Sequence, residues 1–108
     1  MSKMKLETQE QLLQALQENQ NLLLFKHSLT CPISQGAWEE FNDYVDNGCT
    51  VPVLYVYVQE GRAVSNFVAE HFGIKHESPQ VLYIQNGEVA WHTSHWNIKK
   101  QVLQEHVG

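Results

Sequence analysis

Apolar residues change their rhythm repeatedly along this chain, and each change marks an element. Leu12, Leu13 and Leu16 share one helical face, and Thr8 and Gln11 ahead of them have capping-box spacing, so residues 8–18 are predicted to be a helix. Leu22 to Phe25 is an unbroken apolar run, which predicts a strand over Leu22–His27 covered on both faces. Ile33, Ala37, Phe41, Tyr44 and Val45 return to three- and four-residue steps, giving a helix from Pro32 to Asp46 that stops at Asn47-Gly48. Val51 to Val58 is rich in β-branched and aromatic residues and reads as a second central strand. Val64, Phe67, Val68, His71 and Phe72 form the inner face of a helix over 62–72, closed by Gly73. Val81–Ile84 and Glu88–His92 are two strands joined at Asn86-Gly87, a strong hairpin signal. Ile98, Val102, Leu103 and Val107 predict a last helix over 97–106, with Thr93 or Ser94 as its cap. Met4–Leu6 reads as a short strand at an edge.

The principal order is α-β-α-β-α-β-β-α. A strand–helix–strand unit implies a parallel pair with a right-handed crossover, and the hairpin adds two antiparallel strands. The expectation is an α/β domain over 1–108 with a central four-stranded mixed sheet and helices on both faces.

Composition narrows the function. The net charge of −5 offers no electrostatic footprint for nucleic acid. No apolar run is long enough to span a membrane, and the first residues, MSKMKLETQEQ, lack the apolar core of a secretory signal. Two cysteines without a signal fit a reducing cytoplasm better than a disulfide framework.

The chemistry converges on the turn between the first long strand and the second helix. Pro32 suits the first helical position, because its φ is already helical and its missing N–H would have had no partner there. Cys31 therefore falls at or beside the N-cap, facing free N–H groups and the positive end of the helix dipole. That setting favours thiolate over thiol, and thiolate is the nucleophile. Lys26 and His27 end the preceding strand, and a cation there would act in the same direction. Ser34, one turn after Cys31, is either a hydrogen-bond donor to the sulfur or an ordinary first-turn serine. Cys49 lies beyond the far end of a helix on the order of 20 Å long, out of disulfide range, and reads as a buried inert residue. Trp38 lies off the main apolar stripe of its helix and either flanks the site or covers surface. Trp91 and Trp96 read as core or sheet-edge aromatics. The pairs His92/His95 and His71/His76 do not place two ligands on one helical face, so no metal site is expected. His106 near a helix C-terminus reads as a surface residue.

Cys at a helix start, Ser78-Pro79 before the third long strand and Asn-Gly in a hairpin together resemble the thioredoxin superfamily over nearly the whole chain. Thr30-Cys31-Pro32-Ile33-Ser34 is more closely similar to the TCPIS signature of the monothiol bacilliredoxins (the YtxJ family). That resemblance implies a thioredoxin-like fold and a thiol–disulfide oxidoreductase that removes bacillithiol from S-bacillithiolated proteins. It implies Cys31 as the catalytic residue, with Thr30, Pro32, Ser34, Ser78 and a cis Pro79 meeting the substrate. Bacillithiol would be co-substrate rather than a bound cofactor. A small thiol or another redoxin would release the mixed disulfide, because Ser34 stands where a resolving cysteine would be. Two other readings remain at this stage: a glutaredoxin-like [2Fe–2S] carrier, in which Pro32 would crowd a cluster, and a thioredoxin-like binding module without turnover.

Overall fold

The computed structural model describes residues 3–107. Strand β1 (Lys3–Lys5) leads into helix α1 (Gln9–Glu18), which Thr8 opens as its sequence predicts. The Thr8 hydroxyl accepts the Gln11 N–H and the Gln11 side chain accepts the Thr8 N–H, satisfying two donors that a helix start leaves free. Strand β2 (Asn21–His27), helix α2 (Pro32–Asp46), strand β3 (Val53–Tyr57) and helix α3 (Arg62–Phe72) follow. Strands β4 (Gln80–Gln85) and β5 (Glu88–Ser94) form the hairpin, and helix α4 (Lys100–His106) ends the order. Asn86 and Gly87 take φ of 54° and 80°, the left-handed pair that a two-residue hairpin turn requires.

The sheet order is β1-β3-β2-β4-β5. β1, β3 and β2 run parallel, while β4 is antiparallel to β2 and β5 to β4. The sheet thus has five strands, not the four expected. Lys3–Lys5 carries one apolar residue, so it has no alternation to read. Main-chain pairing with the open edge of β3, in the register Lys3↔Val53, makes it a strand, and Leu6 just beyond it is buried.

β2 lies at the centre and is covered on both faces. Leu22 and Leu24 pack with Leu12, Ala15, Val64 and Val68 beneath α1 and α3. Leu23 and Phe25 pack with Ala37, Phe41, Tyr44, Ile98 and Leu103 beneath α2 and α4.

The last helix begins later than its periodicity suggests. His95–Asn97 form a 3-10 turn, and Lys99, rather than Thr93 or Ser94, is the N-cap of α4. Lys99 supplies no side-chain cap; the Glu40 carboxylate accepts the Lys100 N–H at 2.8 Å instead. An acceptor 60 residues away in sequence therefore does the capping, which local pattern cannot reveal. Trp96, on the 3-10 turn, is 68% exposed and belongs neither to the core nor to the sheet edge.

Candidate functional site

Parallel pairing of β2 with β3 brings the C-terminal ends of both strands, and the starts of α2 and α3, to one end of the sheet. The register Lys26↔Gln80 brings the start of β4 to the same end. Cys31 leaves β2 through a three-residue loop and is the N-cap of α2, with extended φ and ψ of −101° and 121°. Its carbonyl accepts the Gln35 N–H, the first helical bond, and Pro32 occupies the first turn. Cys31 is a partly exposed residue, free of any disulfide and without a side-chain capping hydrogen bond. It is set at a helix end, where the first backbone N–H groups have no intrahelical partner.

Thr30, Pro32 and Ser34 are contiguous with Cys31 along the loop and first turn. The Ser78–Pro79 peptide bond is cis and stands at the head of β4. The Pro79 carbonyl accepts the His95 N–H at 3.0 Å, which ties the 3-10 turn to this end of the sheet. Ser78 Oγ is buried without a hydrogen-bond partner among the described residues.

Ser34 is fully buried. Its hydroxyl oxygen accepts the Ser28 N–H at 2.8 Å and lies 2.7 Å from His27 Nδ1. Burial lowers the His27 pKa and so favours the neutral imidazole, which shares one hydrogen with the Ser34 hydroxyl. Ser34 therefore turns inward, and its hydrogen bonds lock the loop between β2 and α2. Trp38 stacks on the His27 ring at 4.8 Å and 16°, so it seals this buried pair as well as covering Phe25.

Lys26 does not share that face. It alternates to the α1/α3 side, where it is fully buried with Nζ 3.2 Å from His76 Nδ1. Ser65 on α3 reaches the same nitrogen at 3.3 Å. Burial lowers the Lys26 pKa to about 8; His76 is exposed as a residue, but desolvation at its contact with Lys26, together with the Lys26 charge, lowers its pKa as well. Two adjacent basic residues thus serve opposite sides of the sheet.

Gln59, in the turn between β3 and α3, went unnoticed in the sequence. Its Oε1 accepts the Leu29 N–H at 3.0 Å, and its Nε2 donates to Ser28 Oγ at 2.8 Å and Thr30 Oγ1 at 3.1 Å. The signal was a polar side chain directly after a strand that runs parallel to the one carrying the cysteine loop.

Cys49 is buried at the other end of α2, and its thiol donates to the Val51 carbonyl at 3.4 Å. Trp91 stacks on His106 at 4.4 Å. Among the described residues there is no group of three or more His, Cys, Asp or Glu side chains able to hold a metal ion. Among the described residues no helix is long and apolar enough to cross a membrane. A groove of about 600 Å³ between α1 and the start of β3 lies at the end of the sheet away from Cys31, lined by residues such as Gln14, Thr50 and Leu54.

Among the described residues, Cys31 is thus the one cysteine that is not buried. The family model described as monothiol bacilliredoxin BrxC matches residues 4–103. A solved structure assigned as an oxidoreductase with a thioredoxin fold is 36% identical, with a TM-score of 0.89 over 96% of this chain and 92% of that one. Thioredoxin from Plasmodium falciparum superposes with a TM-score of 0.77 at 14% identity, covering 99% of this chain and all (100%) of that one. Thioredoxin from Fasciola hepatica gives 0.76 at 14%, covering 96% and 95%. The last two likenesses concern the fold alone.

Proposed function

This chain belongs to the monothiol bacilliredoxin family, and from that premise we propose that it reverses S-bacillithiolation of proteins by thiol–disulfide exchange at Cys31. The Cys31 thiolate attacks the bacillithiol sulfur of a client mixed disulfide. The old S–S bond breaks, the client leaves as thiolate, and bacillithiol remains bonded to Cys31. A second bacillithiol thiolate, or another redoxin, then attacks that bond and returns Cys31 to thiolate. Bacillithiol acts as co-substrate throughout, and a reducing cytoplasm would keep the enzyme in its free-thiol form.

One observation carries the reading. The cysteine that opens α2 is unpaired and partly exposed, and one turn on stands Ser34, whose buried hydroxyl faces His27. A hydroxyl cannot close a disulfide, so release must come from a second molecule. Cys49 offers no internal rescue, being buried beyond the opposite end of the helix.

Intact mass spectrometry after incubation with oxidised bacillithiol, and separately with oxidised glutathione, tests this. A bacillithiol adduct confined to Cys31, formed faster than the glutathione adduct and absent from Cys31→Ser, is the expected result. An unreactive Cys31, or visible absorbance from an iron–sulfur cluster after anaerobic purification, would overturn it.

A further inference from the structure

The main chain fixes which way the Gln59 amide points. Leu29 N–H can only donate, so the Gln59 atom 3.0 Å from it is the oxygen, and the nitrogen faces Ser28 Oγ and Thr30 Oγ1. An amide nitrogen has two hydrogens and accepts nothing. Both hydrogens are committed, one to each hydroxyl oxygen. Each hydroxyl retains its own hydrogen, which cannot turn back toward Gln59. No protein acceptor for either hydrogen occurs among the described residues. Thr30 is exposed and Ser28 partly so, and they precede the reactive sulfur by one and three residues.

We propose that Ser28 and Thr30 are a pair of oriented donors that receives a carbonyl or carboxylate oxygen of the molecule disulfide-bonded to Cys31, with Gln59 as the positioning residue that sets their polarity. The proposal rests on the reading of Cys31 given above and names the chemistry its partner must present. Without Gln59, each hydroxyl could point its hydrogen inward or outward, and part of the binding free energy would go to choosing. With Gln59 in place, the choice is made before the partner arrives. The oxygen can come from a carboxylate of the small thiol or from the peptide backbone of the client.

The test compares rates of mixed-disulfide formation at Cys31 with three symmetrical disulfides. Hydroxyethyl disulfide carries neither acceptor, dithiodipropionamide carries an uncharged carbonyl, and dithiodipropionate carries a carboxylate. Gln59→Glu is the decisive variant. Its carboxylate still accepts the Leu29 N–H, but both hydroxyls must now donate to it and turn inward. Rates with each acceptor-bearing disulfide are expressed relative to hydroxyethyl disulfide. The ratio should fall about tenfold in Gln59→Glu, the scale of one or two hydrogen bonds. Thr30→Val should lower it less. In a Ser28→Ala, Thr30→Val background, Gln59→Glu should have no further effect. A fall confined to dithiodipropionate supports a small-thiol carboxylate, and a fall that includes dithiodipropionamide supports a peptide carbonyl. An unchanged ratio overturns the proposal. So does a Gln59→Glu effect that persists without the hydroxyls, since that is mere charge repulsion. Should the double background fail to fold, Thr30→Val alone decides, because it must at least halve the Gln59→Glu effect in logarithmic terms. A wild type unreactive with all three disulfides overturns the reading of Cys31 itself, whereas a reactive wild type with an unmoved ratio overturns only the donor pair.

Discussion

Lys26 is a buried ammonium group with no carboxylate beside it among the described residues, and its removal should stabilise the protein. Its hydrogen-bond partner is His76, itself a base. The informative substitution is Lys26→Met, which keeps an unbranched apolar stem in the same space and deletes the charge. The magnitude follows from the pKa. Burial moves it from 10.5 to about 8. At about 1.4 kcal/mol for each tenfold change in proton affinity, the charged form is disfavoured by about 3 kcal/mol in the folded state. Against this stands the lost contact with His76, worth about 1 kcal/mol. The His76 side chain is exposed and can turn to water, so the net gain should be about 2 kcal/mol near neutral pH. The gain has a defined pH window. Below about 8 both folded and unfolded chains carry the proton, and the whole penalty is present. Between about 8 and 10.5 the unfolded chain holds more protons than the folded one, so wild-type stability rises relative to the variant. The advantage of Lys26→Met should therefore shrink by about 1.4 kcal/mol per pH unit across that interval. Urea denaturation of both proteins at neutral pH and at two pH values inside the window measures it. A variant less stable than wild type at neutral pH, or an advantage constant through the window, would refute the argument.

Three further outcomes are expected. Ser34→Ala leaves the Ser28 N–H and His27 Nδ1 without their partner and should destabilise by about 2 kcal/mol in urea denaturation. Because burial lowers the His27 pKa below 6.5, stability should fall as pH drops through 6.5, where the unfolded chain takes up a proton that the folded one resists. His27→Gln should flatten that slope in thermal melts across mildly acidic pH, and an equal slope in both proteins would count against a buried neutral imidazole. Cys31→Ser should abolish mixed-disulfide formation, while Cys49→Ala should keep most of it and lose about 1 kcal/mol of stability from its small cavity; comparable loss of exchange in both would return Cys49 to the reaction.

The contrast between what sequence revealed and what it concealed has one physical origin. Thr8 with Gln11, Asn86 with Gly87 and the run Leu22 to Phe25 declare themselves because their partners lie within a few residues or because burial on both faces demands uniform apolarity. Cys31 was legible for the same reason, since an N-cap is defined by the proline and the helix that follow it. β1 was not legible as a full sheet member, because its partners are the N–H and C=O groups of β3 some fifty residues on, and main-chain pairing leaves no mark on side-chain pattern. The start of α4 was misjudged because Glu40 caps it from another helix. Lys26 and His27 are the sharpest case. Adjacent in sequence at the end of one strand, they offer either a cation near the thiol or plain solvated residues, yet the alternation of a strand sends successive side chains to opposite faces. Since Leu22 and Leu24 face α1 and α3, Lys26 must follow them, and since Leu23 and Phe25 face α2, His27 must reach Ser34. That deduction needs only the period of a strand and one known facing residue. The identity of Gln59 as the residue that orients the cysteine loop needs the sheet order as well, because only β3 running parallel beside β2 carries it to Ser28 and Thr30. A residue that acts by arranging other side chains is visible only once the strands that carry them are paired.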